Sequence, residues 1–123
     1  MPKKKILIVE DEESLLKLES ILLTSRGYEV VGAADGAAAL EQVVSERPDL
    51  VILDIMLPEI DGFEVCRRIK QNPETAHIPV LMLTAKKSSQ DCDRGMAAGA
   101  SAYITKPFKS ARIVELIQDL LSP

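Results

Sequence analysis

The sequence predicts an α/β protein with a doubly wound, five-stranded parallel sheet in the order 2-1-3-4-5. The first observation is a set of short apolar runs that are nearly continuous, as in parallel strands covered on both faces. The second is that helical patterns lie between these runs, which gives five strand–helix units, (βα)5. The chain has 123 residues, 46% hydrophobic and 28% charged, and this suits one globular domain.

Five segments carry the strand signal. The clearest are the first, third and fourth predicted strands, Ile6 to Val9, Leu50 to Leu53 and Val80 to Leu83. The segments "YEVVGA" (28–33) and "AYIT" (102–105) predict weaker second and fifth strands. Residues that break regular structure separate the elements: Gly27, Asp35-Gly36, Pro48 and "NPETAHIP" (72–79). Right-handed crossovers between such strands are expected, and they favour the stated strand order.

Four apolar stripes at helical spacing predict helix faces that pack against the sheet. They are Leu15, Leu18 and Leu22 with Ile21 beside them; Leu40, Val43 and Val44; Phe63, Cys66 and Ile69; and Ile113, Leu116, Ile117, Leu120 and Leu121. The segment from Ser88 to Ala98 is rich in alanine and polar residues, and we predict the fourth helix there. The result is a flavodoxin-like arrangement of strands and helices.

Charge and composition argue against two classes of partner. The net charge is −4 and only 3% of residues are aromatic, so a basic face or a stacking platform for nucleic acid is not expected. The basic start "MPKKKILIVEDEE" has an apolar run too short for a signal peptide, and no stretch approaches the ~20 apolar residues of a membrane span. We therefore expect a cytoplasmic protein. Cys66 and Cys92 lack metal-ligand spacing, so we expect both to be reduced.

Polar side chains follow four of the five predicted strands. Glu10 and Asp11 come after the first strand, Asp54 ends the third, Thr84 the fourth and Lys106 the fifth. In an open α/β sheet, ligands bind outside the carboxyl ends of the strands. Three carboxylates, one hydroxyl and one ammonium are therefore expected at one edge of the sheet.

Each of these residues alone has an ordinary explanation, but the set suits one chemistry. Glu10 and Asp11 favour a helix N-terminus, Thr84 suits a strand, and Lys106 can reach solvent. Asp54 directly follows "LVIL", and acidic residues are rarely buried without partners. Together they fit transfer of a phosphoryl group to a carboxylate, with Mg2+ relieving the repulsion among the acids and a lysine stabilising the phosphoryl oxygens.

Four motifs extend this pattern along the chain. They are "ILIVEDEE" (6–13), "PDLVILDIMLPEIDGFEVCRRI" (48–69), "IPVLMLTA" (78–85) and "GASAYITKPF" (99–108). With them the chain resembles a response-regulator receiver domain of two-component signalling, over essentially its whole length, as a single domain of residues 1–123. The resemblance implies that Asp54 is the phosphoacceptor and that Lys106 pairs with a phosphoryl oxygen. It also implies that Glu10, Asp11, Asp54 and the backbone carbonyl of Met56 hold Mg2+.

The resemblance further implies a conformational switch. Thr84 would contact the phosphoryl group and shift when it arrives, and Tyr103 would be the aromatic residue whose orientation reports the change. The peptide bond between Lys106 and Pro107 is expected to be cis. Met56 and Lys86 occupy positions that tune how water reaches the acyl phosphate, and we predict slow-to-moderate self-dephosphorylation.

The implied partners are a sensor histidine kinase or histidine phosphotransfer protein as phosphoryl donor, and a downstream output domain or protein. The chain is then a phosphorylation-dependent switch that assists its own phosphotransfer and dephosphorylation, not an enzyme in the usual sense. His77, the one histidine, lies in a predicted polar loop and is expected to be a solvated residue, not a phosphodonor.

Two other functions stay open at this point. A flavodoxin-like binder of FMN would need a first loop rich in glycine, serine or threonine, whereas this loop reads "EDEE". A receiver-like interaction module that is never phosphorylated would share the fold and lack the acceptor chemistry. Bound flavin would colour the protein yellow, and a phosphodonor assay separates the module from a phosphoacceptor.

Overall fold

The computed structural model describes residues 3–85, 89–106 and 109–122, so Lys86 and Pro107 lie outside the described residues. Strands and helices alternate within these ranges: β1 Lys5–Val9, α1 Glu13–Ser25, β2 Glu29–Ala33, α2 Gly36–Glu46, β3 Leu50–Leu53, α3 Gly62–Gln71, β4 Val80–Thr84, α4 Ser89–Ala97, β5 Ala102–Thr105 and α5 Ser110–Leu121. The strands form one parallel sheet in the order β2-β1-β3-β4-β5, which confirms the predicted fold.

The central strands are buried because helices cover both faces of the sheet. Successive side chains of a strand point to opposite faces. In β1, Leu7 and Val9 accordingly join a core with residues of α2 and α3, while Ile6 and Ile8 join a second core with residues of α1 and α5. Burial on both faces explains why these strands read as continuous apolar runs.

Local side-chain chemistry sets where two of the helices begin. Asp35 caps α2 by accepting a hydrogen bond from the Ala38 N–H at 2.8 Å, and Asp61 caps α3 through the Glu64 N–H at 2.9 Å. The predicted stripe of α3 is confirmed, since all three of its members are buried, and in α5 the core positions Ile113 and Ile117 are buried as predicted. No helix in the described ranges combines the length and apolar character needed to cross a membrane.

The predicted face of α1 is correct for Leu22, which is partly buried against the core, but wrong for Leu18 and Ile21. Leu18 and Ile21 are 65% and 68% exposed, whereas Glu19 and Leu23 are buried against the sheet. The helix carries leucine or isoleucine on almost every side, so its apolar periodicity does not indicate which side faces the core. In α2 the prediction holds for Val43 but not for Val44, which is exposed.

Candidate functional site

Three carboxylates meet at the carboxyl edge of the sheet. Glu10 follows β1 and Asp54 follows β3, and the pairing of Val9 with Leu53 places them at the same level. Glu10 and Asp54 are buried, while Asp11 is exposed. One ligand oxygen from each of the three carboxylates lies within 4.8 Å of the others. The predicted acidic cluster is therefore brought together.

Lys106 supplies the positive charge of this cluster. Its Nζ lies 3.1 Å from Asp54 Oδ2 and 3.2 Å from Glu10 Oε1, so one ammonium is shared by two buried carboxylates. Its backbone N–H donates to the Thr84 carbonyl at 2.7 Å, which ties the end of β5 to the end of β4. The lysine expected at this edge thus reaches Asp54.

Burial and charge act in opposite directions on the ionisable groups. Burial lowers the pKa of Lys106, but its hydrogen bonds with Asp54 and Glu10 and the charges of both carboxylates outweigh burial, so the pKa lies above its usual value. Burial raises the pKa of Glu10, and the neighbouring Asp54 charge adds to the rise despite the Glu12 N–H and Lys106. The charged form of Lys106 is therefore stabilised, whereas the charged form of Glu10 is disfavoured.

The turn after β3 orients the Asp54 carboxylate. The Met56 N–H donates to Asp54 Oδ1 at 3.0 Å, leaving the other oxygen to Lys106. A Cβ on Gly62 would lie 2.5 Å from both the Asp54 carbonyl oxygen and the Ile55 Cα, so glycine is needed where α3 begins. Met56 and Asp11 line a cavity of about 460 Å3 beside the cluster, which leaves a path for an incoming group.

The two predicted switch residues lie on neighbouring strands. Thr84 is fully buried at the end of β4, and its Cα pairs with that of Thr105 on β5. Tyr103 is partly buried on β5, where its Cα pairs with that of Met82. Burial, followed by the charges of Asp91 and Cys92, raises the pKa of the Tyr103 phenol.

A fourth carboxyl, which the sequence analysis missed, belongs to Glu19 in α1. Its side chain lies in the interior, the residue is 5% exposed, and Oε2 has no hydrogen-bond partner among the described residues. Burial raises the pKa of Glu19 to about 7, with a further contribution from the charge of Glu10. The only sequence signal was its position, four residues before Leu23 and therefore on the same side of the helix. The sequence analysis had assigned another side of this helix to the core.

The donor set of the cluster fits a divalent cation. Among the described residues, the three carboxylates lie with one ammonium, that of Lys106, and carboxylate oxygens are the ligands that Mg2+ prefers. His77, by contrast, is exposed in the loop before β4, as predicted for a residue outside the site. Because the carboxylates repel a negatively charged reactant, the site can accept one only together with additional positive charge.

Comparisons with known proteins point to one family. A family model described as the response regulator receiver domain matches residues 6–118. The chain is 43% identical over 118 residues to the alkaline phosphatase synthesis transcriptional regulatory protein PhoP of Bacillus subtilis, covering 96% of this chain and 48% of that protein. It is 40% identical to the response regulator PleD of Caulobacter vibrioides, covering 94% and 26%. The chain thus spans about half or less of these curated relatives.

Solved structures of similar length agree with this match. A putative response regulator from Chloroflexus aurantiacus superposes with a TM-score of 0.94 at 37% identity, covering 99% of this chain and 100% of that chain. The receiver domain of a sensor histidine kinase from Pseudomonas aeruginosa, solved with a magnesium ion coordinated in its active-site cleft, has a TM-score of 0.90 at 31% identity and covers 98% of both chains.

Proposed function

The chain belongs to the response regulator receiver domain family, and on this premise we propose that Asp54 is its phosphoacceptor. Phosphoacceptor signalling is the role of the family, and the proposal concerns which residues perform it here. The observation that carries it is the placement of the Asp54 carboxylate between the Met56 N–H and the Lys106 ammonium. A buried carboxylate held at the open edge of a sheet is a positioned nucleophile.

The proposed step exchanges one bond to phosphorus for another. A carboxylate oxygen of Asp54 forms a bond to the phosphorus of a phosphohistidine, and the P–N bond breaks with its electron pair staying on the ring nitrogen. A ring that is protonated at its other nitrogen then leaves as neutral imidazole. The protein contributes position and charge, because the transferring phosphoryl group carries its negative charge on three equatorial oxygens.

Lys106 and Thr84 are proposed to receive two of those oxygens. The Lys106 ammonium already contacts Asp54 and Glu10, so it needs only to exchange one carboxylate contact for a phosphoryl oxygen. The hydroxyl of Thr84 lies on the neighbouring strand, which the Lys106 N–H ties to β5. Charge-assisted hydrogen bonds of this kind are among the stronger ones in proteins.

Glu10, Asp11, Asp54 and the backbone carbonyl of Met56 are proposed to hold Mg2+. When bound, the cation supplies positive charge that offsets repulsion among the carboxylates and the charge of the phosphoryl oxygens. The grouping of the three carboxylates supports this, as does the magnesium ion in the cleft of the Pseudomonas aeruginosa receiver domain. Calorimetric titration with Mg2+ should show binding that weakens strongly in Asp11→Asn.

The partners proposed are a sensor histidine kinase or histidine phosphotransfer protein upstream and an output domain or protein downstream. The chain spans about half of PhoP, whose name describes a transcriptional regulator, so the remainder of such a protein would carry the output. Met56 is exposed beside Asp54, and with Lys86 it is proposed to restrict water, giving slow-to-moderate loss of the phosphoryl group. Loss within a few seconds would contradict that lifetime.

The test is incubation with a small-molecule phosphodonor and Mg2+, followed by mass spectrometry of the intact protein. We expect a mass increase of one phosphoryl group that is absent in Asp54→Asn. The matched control is Asp93→Asn, which removes an exposed carboxylate of α4 and should be phosphorylated normally. No mass increase in the unmodified protein would reject the proposal in favour of an interaction module that is not phosphorylated.

A further inference from the structure

Gly95 occupies a place in α4 where the backbone does not require glycine. Among the described glycines, Gly27 and Gly99 have a positive φ angle and Gly95 does not, so its backbone conformation is open to other residues. Glycine is the poorest helix former after proline, and at this position it weakens the helix relative to alanine. A reason for glycine here must therefore come from the space around it.

That space is filled by two side chains from the sheet. A Cβ on Gly95 would lie 2.8 Å from Met82 Sδ, 2.9 Å from Tyr103 Cδ2 and 3.1 Å from Tyr103 Cε2. Met82 is fully buried in β4, whereas Tyr103 is only partly buried and can move more easily towards solvent. The missing side chain thus forms a notch in α4 that holds the edge of the tyrosine ring.

The notch is connected to the candidate site through one face of the sheet. Met82 and Tyr103 are paired across β4 and β5. Because side chains alternate along a strand, Thr84 points to the same face as Met82, two residues nearer the edge. The Tyr103 ring, α4 and the buried Thr84 therefore share one side of the sheet, next to the cluster that contains Asp54.

We propose that Gly95 is a positioning residue of the phosphorylation switch, because its notch holds the Tyr103 ring against α4 so that the ring and the helix move together. The inference rests on the proposed function of Asp54 and Thr84. A methyl group at residue 95 would push the ring outward, since the partly buried ring can move towards solvent more easily than the fully buried Met82. The ring would then occupy a displaced position before any phosphoryl group arrives, and α4 would no longer follow it.

The tyrosine content of the chain makes the ring directly observable. The chain has two tyrosines, Tyr28 and Tyr103, so the protein labelled with fluorotyrosine gives two fluorine NMR signals, and Tyr28→Phe assigns them. Spectra are recorded with Mg2+, before and after adding beryllofluoride as a phosphoryl analogue. In Gly95→Ala we expect the Tyr103 signal to be displaced before the addition and to lose most of its response afterwards.

A neighbouring substitution controls for effects on the helix alone. Met96 is 47% exposed on the same helix, so Met96→Ala alters α4 without entering the notch and should leave the Tyr103 response unchanged. If Gly95→Ala does not fold, the pair Gly95→Ala with Met82→Val removes the Sδ atom and tests the same contact. We expect the pair to regain much of the Tyr103 response, and an unchanged loss would count against the notch.

The outcomes separate the inference from the proposed function. If Gly95→Ala shows the unmodified signal and the full response, the inference is overturned, while phosphorylation of Asp54 stands on its own mass measurement. If the unmodified protein gives neither a Tyr103 response nor a mass increase, both ideas fail. A displaced, unresponsive Tyr103 in a protein that still gains one phosphoryl group supports the inference.

Discussion

Glu19→Gln tests whether the buried carboxyl of α1 costs stability when it ionises. Glu19 is 5% exposed, and one of its oxygens has no hydrogen-bond partner among the described residues. Burial raises its pKa to about 7 from a usual value of 4.5. Glutamine has nearly the same shape and never ionises, so the substitution removes the proton linkage with little change in packing.

The size and sign of the effect follow from the two pKa values. A rise from 4.5 to about 7 corresponds to about 3 kcal/mol. The folded protein binds the Glu19 proton more tightly than the unfolded chain, so its contribution to stability is complete below the unfolded pKa. That contribution is lost as the pH rises through the folded pKa. The free energy of unfolding of the unmodified protein should therefore fall, relative to Glu19→Gln, mainly between about pH 4.5 and about pH 7.

Denaturant unfolding of both proteins in a chelating buffer, at a series of pH values across this range, measures the difference. Glu10 is present in both proteins, so only the interaction of its charge with Glu19, which is secondary to burial, enters the difference. Glu41→Gln, which removes an exposed helical carboxylate, is the control for the loss of one acidic charge outside the interior. A difference between Glu19→Gln and the unmodified protein that stays constant with pH would refute the reasoning.

Three further predictions concern the charges and thiols. Lys106→Ala should lower the free energy of unfolding in chelator by about 1–3 kcal/mol, because Glu10 and Asp54 lose their shared donor. Adding Mg2+ should recover part of the lost stability, and equal melting temperatures of the two proteins in chelator would contradict the prediction. Asp54→Asn should be neutral or stabilising in chelator, because it relieves repulsion among the acids, and a clearly lower melting temperature would count against it. Burial raises the pKa of the Cys66 thiol to about 11, so a thiol reagent should modify Cys92 first and Cys66 only after unfolding. Rapid labelling of Cys66 in the folded Cys92→Ser protein would contradict this prediction.

Most of the acidic site was predictable because parallel strands bring their carboxyl ends to one edge. Locating the ends of β1, β3 and β5 from apolar runs was enough to place Glu10, Asp54 and Lys106 together. β4 extends one residue beyond the apolar run Val80 to Leu83 and ends at Thr84, the residue that was predicted to end this strand. Strand ends tolerate a difference of one residue, since the edge as a whole carries the chemistry.

The helix faces were less predictable, because a face depends on the rotation of the helix about its axis. In α1 the apolar residues nearly encircle the helix, and the sheet is covered by a side that includes Glu19. A rule that places charge outside and leucine inside puts Glu19 on the solvent side, and it does not distinguish the exposed Leu18 from the packed Leu22. The notch at Gly95 also could not be predicted from the sequence, because it depends on how closely α4 approaches Met82 and Tyr103.

The charge balance of the cluster bears on how Lys106 can contact Asp54 before the proposed phosphorylation and the phosphoryl group after it. Within the part of the chain that the structure describes, three carboxylates lie with one ammonium, so the formal charge of this group is negative even while Lys106 contacts both buried acids. Apolar residues at these positions would cost less than buried acids that lack positive charge. The excess of negative charge therefore favours binding of a cation. In the proposed phosphorylation of Asp54, Lys106 can turn towards the phosphoryl group while it keeps its contact with Glu10, so no buried charge loses its partner during the exchange.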